Sequence, residues 1–349
     1  NNLQPDARGD FVLYWLTAFR RLNWNFAFSH AVEWARRLNR PLLIVETLDC
    51  GGRWDTARAH AFVLAGISEN AKAAAKKNVA YHPFVETSPG ESDRLLAALA
   101  ARACVVVGDD FPLKEARRKL PVLGELVDSS GILPLRAADR IFPTAYSFRR
   151  FLQRELPRHL DAFPEADPLR GKKFPAPNRL PDDIAKRWPP PGPNLLAARP
   201  EELVKLPVSH DVPQAEIPGG PTAAQKAWRE FLNHKLSRYI EERNEPEAEA
   251  ASGLSPYLRH GHISSHQIVA ELLDREDWNE GKLAAKPRGK KEGWWGLSPA
   301  AEAFLDQLIT WREVGHNFCA LSDDYDAYNY LPDWARETLE THASDHRPD

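Results

Sequence analysis

In the first third of the chain, apolar runs alternate with stretches whose apolar positions recur at helical spacing. Residues Phe11–Leu16 and Pro41–Leu48 are almost entirely apolar, which predicts two buried strands. Between them, residues 24–38 carry the helical pattern. A strand, a helix and a strand in so short a span form a βαβ unit, in which the two strands are parallel.

The same alternation continues beyond residue 50. It predicts a helix around 55–76, a strand near 79–85, a helix at 91–102 and a strand at 103–108. Because the strands are apolar nearly throughout, helices are expected to cover both faces of the sheet. We therefore predict that residues 8–145 form a doubly wound, Rossmann-like α/β domain.

Proline dominates the next part of the chain. Fifteen of the 29 prolines lie between Pro157 and Pro221. Proline breaks helices and lacks an amide donor, so residues 146–220 are predicted to be an interdomain linker that crosses a surface and adds no core element.

Helical patterns follow the linker. A capping box at Thr222–Gln225 opens one helix, and Ser255 caps a second that has Pro256 in its first turn. Further helices are predicted for residues 264–273 and from Ser298 to Cys319. Residues 221–349 are thus expected to form an all-α domain. The chain stops without a closing element and contains no Met, so this domain is expected to be truncated.

Composition narrows the class of protein. The 46 basic and 49 acidic residues give a net charge of −3, so a nucleic-acid site would have to be a local patch. The three cysteines Cys50, Cys104 and Cys319 are scattered, which favours a reducing compartment. With no apolar run of membrane-spanning length, a monomeric, cytoplasmic protein is expected.

Two groups of residues in the helical part could carry chemistry. In Ser252–Ser255, a glycine and a serine-capped helix start offer free amides to a diphosphate, although the same pattern is typical of an ordinary capped helix. Further on, Gln307 and Trp311 are four residues apart and share a helix face. On the alternative reading, Trp311 belongs to an apolar core stripe, and Arg312 and Glu313 are solvated.

The order of these motifs resembles the photolyase/cryptochrome family, and most closely the class II cyclobutane pyrimidine dimer photolyases. The likeness rests on four stretches that occur in the family's order. They are Tyr14-Trp-Leu-Thr-Ala-Phe-Arg-Arg-Leu-Asn-Trp-Asn-Phe-Ala, Leu133-Pro-Leu-Arg-Ala-Ala-Asp-Arg-Ile-Phe-Pro-Thr-Ala-Tyr-Ser-Phe-Arg-Arg-Phe, Ser255-Pro-Tyr-Leu-Arg-His-Gly-His-Ile-Ser and Trp311-Arg-Glu-Val-Gly-His-Asn-Phe-Cys.

The resemblance implies an FAD-dependent enzyme that uses light to split pyrimidine dimers in DNA by electron transfer from excited reduced FAD. The residues expected to bind FAD are Tyr239, Ala251, Ser252, Gly253, Leu254, Ser255, Arg312 and Asn317. The expected catalytic residues are Gln307, Trp311 and Glu313. Trp311 would stack beside the flipped dimer and so also contact DNA, since an aromatic ring suits an unstacked base.

One position departs from the family. A glutamate usually stands one turn before the tryptophan, where it hydrogen-bonds the dimer, and here that position is Gln307. An amide can donate a hydrogen bond but cannot supply a proton. A cryptochrome-like light sensor and an inactive or truncated paralogue are therefore alternative interpretations. The resemblance also implies a further C-terminal segment that would complete the flavin pocket.

Charge and histidine clusters add secondary hypotheses. Lys286, Arg288, Lys290 and Lys291 form a basic run that is predicted to bind DNA phosphates, and Arg149, Arg150 and Arg154 form a second basic cluster. Residues 109–112 follow a strand, where an antenna chromophore, a deazaflavin or a folate, could bind or where they could simply make a turn. His260, His262 and His266 lack a carboxylate partner, so no metal site is predicted.

Overall fold

A five-stranded parallel sheet forms the framework of the N-terminal part in the computed structural model, which describes residues 4–113, 124–175 and 180–346. Its strands are β1 (Phe11–Leu16), β2 (Leu42–Leu48), β3 (Ala80–Val85), β4 (Ala103–Asp110) and β5 (Glu125–Asp128), in the order β3-β2-β1-β4-β5. Each neighbouring pair is parallel. The doubly wound fold predicted from the sequence is confirmed.

Three helices connect the first four strands. They are α1 (Phe26–Leu38), α2 (Ala57–Lys76) and α3 (Glu91–Ala100), close to the predicted bounds. The side chain of Asn25 caps α1 and that of Thr56 caps α2. Because the chain moves outward from β1 to β3 and then returns to β4, the sheet has its topological switch point between the C-terminal ends of β1 and β4.

The proline-rich segment contributes more to the cores than expected. Its helices are α4 (Ala145–Glu155), α5 (Asp182–Arg187), α6 (Pro193–Leu196) and α7 (Pro200–Leu203). Ile184 and Trp188 pack into the core of the sheet, and Leu203 and Leu206 pack with α2 residues. The expectation that this segment adds no core element is therefore wrong. Its apolar residues are too widely spaced to show helical periodicity, yet several of them are buried in the cores.

The remaining elements are mostly helical. They are α8 (Pro221–Glu230), α9 (Tyr239–Glu242), α10 (Ser255–Arg259), α11 (Ser265–Arg275), α12 (Pro299–Leu305), α13 (Arg312–Leu321) and α14 (Asp333–Thr341), with π-helical segments at Phe231–Lys235 and Asp306–Trp311. The second π-helical segment joins α12 to α13, so one continuous helix runs from Pro299 to Leu321. This long helix confirms the element predicted from Ser298 to Cys319.

The two predicted helix caps are wrong, whereas the predicted helix starts at Ser264 and Ser298 are confirmed. Ser264 caps α11 and Ser298 caps α12 with their side chains. In contrast, Thr222 lies inside α8, where its amide donates to Glu69 Oε2 at 2.8 Å, so there is no capping box. Ser255 is the first residue of α10 and not its cap. At α8 the carboxylate of Glu69, from another helix, binds the amide that a cap was predicted to bind. At α10 a local turn leads into the helix without a side-chain cap.

One large apolar core unites the helical part with α4. Trp228, Phe231, Tyr239 and Phe304 form its centre, and Phe148 joins it from α4. Among the described residues, the longest apolar helical stretches fall short of what a bilayer crossing requires.

Candidate functional site

The predicted diphosphate turn lies at the surface of the helical part. Leu254 anchors it in the core with 1% exposure, whereas Ala251, Gly253 and Ser255 are exposed. Gly253 has φ +67°, and a Cβ there would meet open space. Within the described ranges the amides of Gly253 and Ser255 form no hydrogen bond, while Ser252 Oγ accepts from Leu254 N at 3.4 Å. Free amides and serine hydroxyls are donors that suit phosphate oxygens.

Tyr239 connects this region to the long helix. Its ring packs edge-on against Phe304, with 5.7 Å between the centroids, and against Phe231 at 5.4 Å. The guanidinium of Arg243 lies 5.4 Å from the Tyr239 centroid. Burial raises the pKa of the Tyr239 hydroxyl. Tyr239 is thus a largely buried residue of the core that also contains Leu254.

Gln307 and Trp311 share the exposed face of the long helix. Trp311 is 49% exposed, although core residues surround most of the same helix. The ring lines a cavity of 620 Å³ together with Tyr146, Arg149 and residues 289–292. No residue of the 251–255 turn lines this cavity, so a single hollow shared by Ser255 and Trp311 stays a prediction.

The predicted basic run lies beside Trp311. The side chains of Lys286, Arg288, Lys290 and Lys291 are exposed, and the last two line the Trp311 cavity. Tyr146, 59% exposed, adds a second aromatic ring that sequence reasoning missed. It lies two residues after Pro143-Thr144 at the start of α4, and no local signal indicates that it would meet the basic run.

Arg149 corrects the second basic cluster. It is 5% exposed, and its Nε lies 2.7 Å from Asp306 Oδ1, so it is not a phosphate ligand at the surface. Arg150 and Arg154 are exposed, and Arg154 pairs with Glu155. All three arginines lie on α4, but the side chain of Arg149 points to the core.

Glu313 and Asn317 lie on the opposite, buried face of the long helix. Glu313 Oε1 accepts from Ile132 N at 2.6 Å, and Oε2 accepts from Leu133 N at 3.1 Å. Asn317 Oδ1 accepts from Phe142 N at 3.2 Å, and its Nδ2 donates to Arg140 O at 3.0 Å. Both side chains bind the backbone that leads from the sheet to α4, and neither lines the Trp311 cavity.

The neighbouring Arg312 takes part in the same contacts, because its Nη1 donates to Ser130 O. A Cβ at Gly131 would lie 2.7 Å from the Glu313 carboxyl group, so a larger residue there would force this group to shift. Burial raises the pKa of Glu313 to about 8, more than the two amides and Arg312 lower it. The assignment of Arg312 and Asn317 to FAD and of Glu313 to catalysis remains a prediction.

His262 of the resemblance motif and the nearby His266 contact helices of the sheet domain. His262 stacks on Phe62 of α2, and its Nδ1 accepts from Gly220 N at 3.0 Å. His266 packs edge-on against Phe26 of α1. Burial lowers the pKa of both His262 and His266 to about 3. Within the described ranges, no three His, Cys, Asp or Glu side chains are grouped so that they could hold a metal ion.

Asp109 organises the switch point of the sheet. Its Oδ2 accepts from the amides of Thr17, Ala18 and Phe19 at 2.8 to 3.0 Å, and its Oδ1 accepts from Tyr14 Oη at 2.8 Å. Burial raises the pKa of Asp109 despite these donors. Its carboxylate is therefore committed to the backbone.

A cavity of 480 Å³ opens next to Asp109. It is bordered by Trp54, His60, Arg259 and His260, so both parts of the chain contribute to it. The guanidinium of Arg53 lies 4.7 Å from the centroid of the exposed Trp54 ring. A cavity thus lies beside residues 109–112, where the sequence suggested an antenna chromophore. The side chain of Asp109 itself binds the backbone amides of the turn after β1.

Sequence comparison aligns nearly the whole chain with known proteins. The chain is 27% identical over 353 residues to a deoxyribodipyrimidine photo-lyase of Methanothermobacter thermautotrophicus, covering 99% of this chain and 70% of the relative. It is 30% identical over 361 residues to the protein of that name from Oryza sativa, covering 97% of this chain and 64% of the relative. No protein-family model matches.

Solved structures agree on the fold. A class III photolyase from Agrobacterium tumefaciens has a TM-score of 0.60 and 16% identity, covering 98% of this chain and 67% of that one. A cryptochrome from Synechocystis has a TM-score of 0.62 and 14% identity, covering 94% and 67%. The two-domain fold and these similarities support the photolyase/cryptochrome family. Within it, relatives that align with nearly the whole chain carry the name deoxyribodipyrimidine photo-lyase.

Proposed function

We propose that this chain acts in light-driven DNA repair and splits cyclobutane pyrimidine dimers. The observation that carries the proposal is the surface around Trp311, whose exposed ring borders one cavity with Tyr146, Lys290 and Lys291. Gln307 is exposed on the same face of the long helix. Lysines beside aromatic faces are the chemistry that binds a strand with an unstacked base. Repair remains a proposal because the chain spans 64% to 70% of the length of the two relatives described above.

FAD would be held by the turn at Ala251–Ser255, whose free amides and hydroxyls suit a diphosphate. When bound and reduced, this cofactor supplies the electron chemistry that no side chain of the protein can provide. Tyr239 would keep the turn in place, since it packs in the same core as Leu254. The role of the protein is to orient the cofactor and the lesion.

Gln307 and Trp311 would contact the lesion itself. Trp311 would stack against a flipped base, and the Gln307 amide would donate a hydrogen bond to a pyrimidine carbonyl. Because an amide cannot transfer a proton, Gln307 would orient the dimer and stabilise charge on it without protonating it. On the quoted motifs we place the chain with the class II enzymes, and the antenna hypothesis for the switch-point cavity belongs to this proposal.

A cryptochrome-like sensor is the second candidate, favoured by the fold similarity to the Synechocystis cryptochrome. A sensor would share the cofactor but would not need a surface selective for damaged DNA. An inactive paralogue, suggested by Gln307, would bind neither flavin nor dimers productively.

The test is illumination of the flavin-loaded protein with an oligonucleotide that contains one thymine dimer. We expect the dimer content to fall in the light, to stay constant in the dark, and to fall more slowly with Trp311→Ala. Unchanged dimer content with flavin bound and dimer-selective binding absent would favour the sensor. A purified protein without visible flavin absorption would favour the inactive paralogue.

A further inference from the structure

Buried polar contacts connect the three segments that surround the Trp311 cavity. The cavity is bordered by the start of α4, by residues 289–292 and by Trp311 itself. Arg149 and Gln153 lie one turn apart on the inward face of α4, and each is 5% exposed. Their side chains reach both of the other segments.

Arg149 holds the helix that carries Trp311. Its Nε donates to Asp306 Oδ1 at 2.7 Å, and its Nη2 donates to Asp306 Oδ2 at 3.1 Å. Asp306 is 8% exposed and begins the π-helical segment that ends at Trp311. Two parallel bonds from a planar guanidinium fix both the distance and the orientation of the carboxylate.

The same face of α4 holds the basic run. Arg149 Nη1 donates to Gly289 O at 3.4 Å, Gln153 Oε1 accepts from Gly289 N at 2.7 Å, and Gln153 Nε2 donates to Lys290 O at 2.9 Å. A Cβ at Gly289, where φ is +71°, would lie 3.2 Å from Arg150 Cβ and from Tyr146 Cε2. The backbone between Arg288 and Lys290 is therefore pressed against α4.

We propose that Arg149 is a positioning residue that fixes Lys290 and Lys291 relative to Trp311, an inference that rests on the proposed DNA-binding function. Arg149 cannot itself bind a phosphate, since it is buried and a carboxylate occupies its guanidinium. A buried ion pair adds little stability over a packed apolar pair. What Arg149 adds is geometry, because its guanidinium contacts both Asp306 and Gly289 O.

The first experiment needs no DNA. Hydrogen exchange followed by mass spectrometry on Arg149→Lys should show about tenfold faster exchange in residues 286–293 and 305–312. Lysine keeps the charge but cannot form three bonds in one plane. The matched control is Arg21→Lys, because Arg21 is 2% exposed and also binds backbone oxygens, of Trp24 and Gly261. Exchange in 286–293 that is the same in both variants would overturn the proposal.

The second experiment measures binding of a single-stranded oligonucleotide that contains a thymine dimer, by fluorescence anisotropy. Arg149→Lys should weaken binding about tenfold. Replacing Lys290 and Lys291 by alanine should then add little in the Arg149→Lys background, because a displaced run has already lost its phosphate contacts. Additive effects would mean that Arg149 acts independently of the run, which contradicts the proposal.

Absence of binding by the unaltered protein would instead reject the proposed function. The exchange experiment alone would then decide whether Arg149 holds the two segments together.

A double variant covers the case in which Arg149→Lys does not fold. Arg149→Met with Asp306→Leu replaces the ion pair by an apolar pair and is expected to keep the unfolding free energy close to that of the unaltered protein. Residues 286–293 should still exchange faster, because Gly289 O has lost its donor. A stable double variant with normal exchange in this run would show that Arg149 is not needed there.

Discussion

The two faces of the long helix from Pro299 to Leu321 carry similar polar groups in opposite surroundings. On one face, Gln307 is exposed beside the half-exposed Trp311. On the other, Glu313 and Asn317 are buried and saturated by the backbone between residues 132 and 142. One face is open to a ligand, and the other joins the sheet to the helical part.

Residues that are adjacent in the sequence motif therefore have different surroundings in the fold. Trp311, Arg312 and Glu313 are consecutive, yet only Trp311 borders the cavity beside the basic run. The buried face gives the exposed face a fixed support, since Glu313 and Asn317 anchor the same helix that presents Trp311. Substitutions on the two faces should therefore have effects of different kinds.

The largest effect is expected at Glu313. In Glu313→Ala the amides of Ile132 and Leu133 lose their acceptor in a buried place, where an unsatisfied donor is costly. We expect a loss of about 4 kcal/mol in the free energy of unfolding. Urea denaturation followed by circular dichroism measures it.

The matched control is Gln307→Ala on the exposed face, six residues earlier. It should change the free energy of unfolding by less than about 0.5 kcal/mol. Equal losses in the two variants would mean that the faces are not distinct.

Much of the fold could be predicted because its elements have strong local signals. The apolar runs at Phe11–Leu16 and Leu42–Leu48 form neighbouring parallel strands, and helices begin after Ser264 and Ser298 as expected. The errors occurred where tertiary contacts replaced local ones. Glu69 satisfies the amide of Thr222 from another helix, and no pattern around Thr222 announces that partner.

The sequence predicted the surroundings of some residues of the candidate site but not of others. The helical spacing of Gln307 and Trp311 correctly indicated a shared face. The direction of Arg149 could not be predicted, since its partner Asp306 is distant in sequence and lies on the long helix. Glu313 looked solvated on the alternative reading because its two amide donors belong to a segment with no periodicity.

The second prediction concerns pH. The pKa of Glu313 is raised to about 8 in the folded protein from an ordinary value of 4.5, so folding favours the protonated form. The stability that this group contributes is complete below pH 4.5 and is lost as the pH rises through 8. We expect a loss of about 3 kcal/mol between pH 6 and pH 9, measured by urea denaturation across that range.

Glu313→Gln sharpens this prediction, because the amide does not titrate. Its Nε2 cannot accept a hydrogen bond, so one of the amides of Ile132 and Leu133 loses its acceptor. The variant should be less stable than the unaltered protein near pH 4, where Glu313 is protonated in the folded and the unfolded state, and should lack this alkaline loss. An identical alkaline loss in both proteins would assign the effect to other groups.

The smallest effect on stability is expected at Trp311, on the exposed face. Because its ring is 49% exposed, Trp311→Ala should lower the free energy of unfolding by only about 0.5 kcal/mol. The control is Trp334→Ala, since Trp334 is 71% exposed, lies on α14 and does not line the Trp311 cavity. Both variants should fold normally, but only Trp311→Ala should weaken binding of dimer-containing DNA, by about tenfold. Equal binding by the two variants would remove Trp311 from the proposed lesion surface, while a large loss of stability in Trp311→Ala would show that its face of the helix is structural as well.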